Sequence, residues 1–145
     1  MKSPLTNCLL QTNTNEDERL HITNKKNNYL HMKKQQQLYK GSLNTIIMKL
    51  LEQHGKMYGY EITQKVKEIT QGEMNITEGA LYPALHKMEA DGFLDVEMDR
   101  VDGRIRKYYK LTESGVKETV SRMEELENFV RNMQNIVNPN LKLGY

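Results

Sequence analysis

The sequence predicts a mainly α-helical fold with one small β-hairpin and a long C-terminal helix. Three observations carry that expectation. Apolar residues recur at helical spacing in three short stretches between residues 43 and 88. The period then changes to two over residues 93–111, on either side of an Asp102-Gly103 pair. From Val116 to the neighbourhood of Pro139 the apolar residues return at seven-residue spacing.

The elements follow in order. Residues 1–38 are polar, rich in Asn, Gln and Lys, and show no sustained period, so they are expected to be a disordered extension. Met32 stands directly before the patterned region and is an alternative start, in which case residues 1–31 are translated upstream sequence; mass spectrometry of the native protein decides this. In "SLNTIIMKLLEQHG", Leu43, Ile46, Ile47, Leu50 and Leu51 form one helical stripe, with Ser42 as N-cap and Gly55 as stop. "GYEITQKVKEITQG" gives a shorter second helix on Ile62, Val66 and Ile69, ending at Gly72. The third, capped by Thr77, presents Leu81, Leu85 and Met88 on one side.

Beyond it, "FLDVEM" and "RIRKYYKL" alternate, and Asp102-Gly103 between them is a type I′ hairpin signal. Thr112 caps the long final helix, which Asn138-Pro139 ends. Val116, Met123, Val130 and Val137 repeat every seven residues, with Thr119, Leu126 and Met133 in the second seam position. That seam is read as a dimerisation helix over residues 112–138, followed by a tail at 139–145. The competing reading is that the stripe packs only on the first patterned helix of its own chain.

Three helices followed by a hairpin with a basic tip describe a winged helix-turn-helix over residues 39–111, in which the third helix enters the major groove and the hairpin is the wing. Net charge of +2 is no argument for a nucleic-acid partner. Seven Lys/Arg against three acidic residues precede Ser42, whereas 14 stand against 16 from there on, so the domain itself is slightly acidic. A local cluster is the argument. Arg100, Arg104, Arg106, Lys107 and Lys110 face only Asp102 within residues 100–110. They suit phosphates or a minor groove, and the alternative is an edge strand using charge to discourage pairing.

The third helix carries two residues that weaken helices, Gly79 and Pro83, together with Tyr82 and His86 turned away from its apolar face. Gly79 lets the helix start approach a phosphate closely, and it tolerates the crowding that Pro83 imposes on its carbonyl. Thr77, Gly79, Tyr82, Pro83 and His86 are therefore the expected DNA-facing set, with Arg100, Arg104, Arg106 and Lys107 from the wing. Tyr82 suits phosphate, sugar or a thymine methyl, or else it packs against the wing. His86 contacts DNA or is simply exposed. Glu78 favours the helix dipole but repels phosphate unless it accepts from cytosine.

"YKGSLNTIIMKLL", "YGYEI", "EGALYPALHKMEADGFL" and "GRIRKYYKLTESG" occur in the order and spacing of PadR-type transcriptional regulators, so the chain resembles that family over residues 39–115. The resemblance implies a dimeric winged-helix repressor on a palindromic operator, with the last helix dimerising and packing against the first. It puts the DNA-facing tyrosine of "LYP" at Tyr82 and the basic wing at Arg104, Arg106 and Lys107. A single helix after "TESG" is similar to the short-form members. The chain has no Trp, whereas some drug-binding members use one at the dimer interface, so that drug site does not carry over.

Other classes have less support. No nucleophile–base pairing, phosphate-cradling loop or metal-ligand spacing is present, and His21, His31, His54 and His86 are scattered, so neither an enzyme, a cofactor nor a metal is expected. A winged-helix module that binds protein rather than DNA is the alternative function. The lone Cys8 forms no internal disulfide, and no apolar run suits a membrane helix or a secretory leader, which fits the cytoplasm. Nine methionines suit an adaptable subunit interface and hint at a small-molecule effector there.

Overall fold

The computed structural model describes residues 14–140. The chain divides between Gln37 and Leu38 into two compact units.

The described part of the first unit is helical, and its helix, α1 (Thr14–Tyr39), runs two residues into the second unit. A helix stands here where the sequence shows no sustained period. No Gly or Pro interrupts the stretch, and Glu16 and Asp17 in its first turn suit the positive end of the helix dipole. Missing apolar periodicity bears on whether a helix can be buried, not on whether the backbone can coil. Residues 16–30 are indeed all exposed. The disorder expected of residues 1–13 lies outside the described residues, as do residues 141–145 of the expected tail.

The second unit opens with a 3₁₀ turn over Lys40–Ser42 and continues through α2 (Leu43–His54), β1 (Lys56–Tyr58), α3 (Gly59–Ile69), α4 (Glu78–Ala90), β2 (Leu94–Val101), β3 (Arg104–Leu111) and α5 (Glu113–Val137). The mainly helical winged architecture is the one expected. Ser42 precedes α2 but makes no side-chain cap bond, because the 3₁₀ entry gives it φ −101°, ψ −2° instead of the extended backbone of an N-cap. Gly55 ends α2 with φ +79° and donates its N–H to the Leu51 carbonyl at 2.9 Å. α3 stops at Ile69, which is exposed, and Gly72 closes its end by donating to Lys67 O at 2.7 Å.

Beyond the expected hairpin lies a third strand. β1 pairs antiparallel with β3, giving the order β1-β3-β2. At the hairpin tip Val101 faces Arg104, and Asp102 (φ +51°) and Gly103 (φ +75°) both take the left-handed backbone of a type I′ turn. The core is built from Ile47 and Leu51 of α2, Ile62 of α3, Leu81 and Leu85 of α4, and Tyr109 of β3. Met48, outside the expected stripe, is also fully buried.

Thr112 ties α5 to the domain. Its hydroxyl accepts from Gly115 N–H at 3.0 Å, as an N-cap does, and donates to the Gly92 carbonyl at 2.7 Å. α5 then runs along α2. Thr119 is fully buried there, and its hydroxyl donates to the Gly115 carbonyl at 2.7 Å, which satisfies it without an outside partner.

Candidate nucleic-acid interface

α4 spends one face on the core and leaves the other bare. Leu81, Leu85 and Met88 are buried, while Thr77, Glu78, Gly79, Tyr82, Pro83 and His86 are exposed. The helix runs through Pro83 without a break. Thr77 sits at the N-cap, where its carbonyl accepts from Ala80 and Leu81; its side chain makes no cap bond. A Cβ added to Gly79 would meet nothing within 4 Å. Nothing inside the domain therefore demands glycine at this position.

Tyr82 is held from below. A Cβ on Gly59, the first residue of α3, would lie 2.9 Å from the Tyr82 hydroxyl oxygen and 3.1 Å from two ring carbons. The ring thus lies on bare backbone and stays 39% exposed. The start of α3 supports the Tyr82 ring, and Tyr82 is also among the groups that act on Tyr109 of β3.

The hairpin register separates the basic residues onto two faces. Leu94, Val96, Met98 and Arg100 share one face with Leu111, Tyr109, Lys107 and Ile105; the other holds Asp95, Glu97, Asp99 and Val101 with Lys110, Tyr108, Arg106 and Arg104. Lys107 is turned toward α4, where its ammonium lies 3.0 Å from the Glu89 carboxylate and 5.1 Å from the Tyr109 ring centroid. The hydrogen bond to Glu89 holds its pKa above the usual lysine value. Burial pushes the Tyr109 phenol upward.

On the other face Lys110 and Lys56 converge on Glu97, Lys56 at 3.1 Å, and Lys56 also lies 3.5 Å from Asp99. Hydrogen bonds from Lys110 and then Lys56 hold the Glu97 carboxyl below its ordinary range. Lys107 and Lys110 are therefore neutralised locally, and the surplus charge of the wing is smaller than its sequence suggests. Arg100, Arg104 and Arg106 make no ion pair among the described residues. Arg100 and Arg104 are exposed. Arg106 is half-buried, with its guanidinium 4.6 Å from the Tyr58 ring centroid, and Tyr58 meets Tyr108 edge to face at 5.5 Å.

The alternation of "LDVEMD" aligns Asp95, Glu97 and Asp99, but their pairing with Lys110 and Lys56 needs the strand register, and the seat of Arg106 on Tyr58 needs β1.

The seam residues of α5 divide. Thr119 is buried and Met123 and Leu126 are half-buried on a helix that packs against α2. Val116 is exposed, as are Val130, Met133 and Val137, and the last three run with Phe129 and Ile136 along the end of the helix. Among the described residues no His/Cys/Asp/Glu group could hold a metal ion, and no helix is long and apolar enough to cross a membrane.

Comparison with known proteins agrees with this geometry. The model of the transcriptional regulator PadR-like family matches residues 47–121. Transcriptional regulator Rv3488 of Mycobacterium tuberculosis is 36% identical over 76 residues, which is 52% of this chain and 68% of that protein. A transcriptional regulator from Clostridium thermocellum Cth-833 superposes with a TM-score of 0.61 at 29% identity, over 73% of this chain and 99% of that one. The PadR-like transcriptional regulator BC4206 of Bacillus cereus gives a TM-score of 0.62 at 25% identity, over 70% and 97%. A winged helical domain with a bare α4 face, matched by that family model over half its length, belongs to the PadR-like family of transcriptional regulators.

Proposed function

We propose that the protein is a sequence-specific repressor that binds a palindromic operator as a homodimer. The observation that carries this reading is the bare face of α4. Thr77, Gly79, Tyr82, Pro83 and His86 are exposed together on a helix whose opposite face is fixed in the core. Side chains so placed can reach base edges and phosphates while the helix axis stays rigid. Arg100 and Arg104, exposed and without acidic partners among the described residues, supply phosphate contacts from the wing. Lys107 contributes to DNA binding only if it leaves Glu89, and Arg106 acts from its seat on Tyr58.

A second copy of the chain covers the apolar end of α5. Val130, Met133 and Val137, with Phe129 and Ile136, give that end a wide apolar face of the kind that stabilises paired helices. Val116, Met123 and Leu126 extend the seam toward the domain. Two α4 helices are then presented to successive major-groove faces about 34 Å apart. A small molecule seated between subunits releases the operator by favouring a dimer with the wrong spacing.

Binding to the duplex upstream of the protein's own gene tests this. Tyr82→Ala and Arg104→Ala are each expected to weaken operator binding without unfolding the domain, and Arg104→Ala should lower the salt slope by about one. Unchanged affinity in both variants would remove the α4 face and the wing from the interface.

A further inference from the structure

Five basic residues lie on α1, namely Arg19, Lys25, Lys26, Lys33 and Lys34, and three of them are regularly spaced. Arg19, Lys26 and Lys33 recur every seven residues. Seven residues advance a helix by about 10.5 Å and return to nearly the same azimuth, drifting only about 20°. The three cations therefore form one stripe roughly 21 Å long. Tyr29 lies one turn beyond Lys26 on that side, and the Lys33 ammonium stands 5.7 Å from its ring centroid. Arg19, Lys26, Tyr29 and Lys33 are all exposed. None of the three cations has an ion-pair partner among the described residues.

The acids of this stretch are confined to Glu16, Asp17 and Glu18 at the helix start, and no Asp or Glu follows until Glu52. Acids at a helix N-terminus are accounted for by the dipole; an acid-free cationic stripe beyond them is not. The partner it fits is a regularly charged polyanion. A membrane surface fits poorly, because Leu20, Ile22 and Leu30 spread over about half the helix circumference and offer no apolar face to insert. Duplex DNA fits, since α1 is covalently continuous with the DNA-reading domain and its cations are held at high effective concentration once that domain is bound.

We propose that α1 is an auxiliary, sequence-independent DNA contact, with Arg19, Lys26 and Lys33 against phosphates flanking the operator. This rests on the DNA-binding reading above. The test uses the full chain and a full-chain variant carrying Arg19→Gln, Lys26→Gln and Lys33→Gln, which keeps good helix formers in place. Both are titrated at several KCl concentrations against an operator duplex with about ten flanking base pairs on each side, long enough for the stripe. Each phosphate contact adds about 0.9 to the salt slope, so the variant is expected to lose about 2–3 from it, with affinity more than tenfold lower at low salt. Equal slopes and affinities would overturn the proposal and leave the stripe to an acidic protein surface. Failure of the unmodified chain to bind any operator would instead take down the DNA-binding reading, and this proposal with it.

Discussion

The Tyr82 ring of α4 lies where any side chain on Gly59, the first residue of α3, would stand. The start of α3 thus sets how far the Tyr82 hydroxyl projects from α4. Gly59→Ala forces the movable end of the ring to shift, because the bare backbone it rests on is gone. Operator affinity is expected to fall roughly 3- to 10-fold, the worth of one hydrogen bond at about 0.5–1.5 kcal/mol. The thermal midpoint should hardly move, since an end-of-ring displacement creates no cavity. Titration of both proteins in parallel checks this, and Tyr82→Phe should reproduce the loss. An alanine variant that binds as tightly as the parent would mean the ring's position is irrelevant.

Gly115 makes a harder contact. A Cβ there would lie 2.1 Å from the Phe93 carbonyl oxygen, which already accepts from Thr112 N–H at 3.0 Å. Backbone cannot step aside as a tyrosine tip can. Gly115→Ala is expected to cost at least the roughly 1–3 kcal/mol typical of overpacking, by prising the α5 start off the β2 start. Urea unfolding measures it; a variant of unchanged stability would show that this junction yields freely.

The Glu97 cluster predicts a small, signed pH effect. Glu97 has its pKa lowered by hydrogen bonds from Lys110 and Lys56. A depressed carboxyl stabilises the fold above its ordinary 4.5, and that contribution is lost as pH falls through the folded-state value. Glu97→Gln should therefore melt below the parent near neutral pH and converge with it in acid. The cluster is exposed, so high salt should shrink the difference. Melting curves across pH at two salt concentrations test this, and a gap that widens in acid would reverse the assignment.

The end of α5 predicts an assembly. Val130→Lys with Met133→Lys alters two exposed side chains, so the domain should stay folded while the dimer dissociates. Sedimentation at micromolar concentration is expected to give a dimer for the parent and a monomer for the variant, with operator affinity lost alongside. Persistence of the dimer would assign the interface elsewhere.

Much of this architecture was legible in the residues, and its gaps have physical causes. Asp102-Gly103 announced its turn because few residue pairs tolerate two left-handed backbones in succession. Thr112 announced the start of α5 in the same local way. β1 was hidden because three residues cannot display an alternation, and only pairing with β3 makes them a strand. α1 was hidden because periodicity reports burial, and this helix buries nothing over residues 16–30. At the interface the outward face of α4 followed from spacing alone. The silencing of Lys107 and Lys110 did not, since Glu89 and Glu97 lie 18 and 13 residues away in sequence and meet them only in the fold.

Selection from random duplexes by the purified full chain, at modest ionic strength and with excess bulk competitor, bears most directly on the central claim. Enrichment of a twofold-symmetric motif with half-sites about one helical turn apart is the expected result. Recovery of no sequence above the competitor background would contradict specific operator recognition and leave a winged domain that binds protein instead.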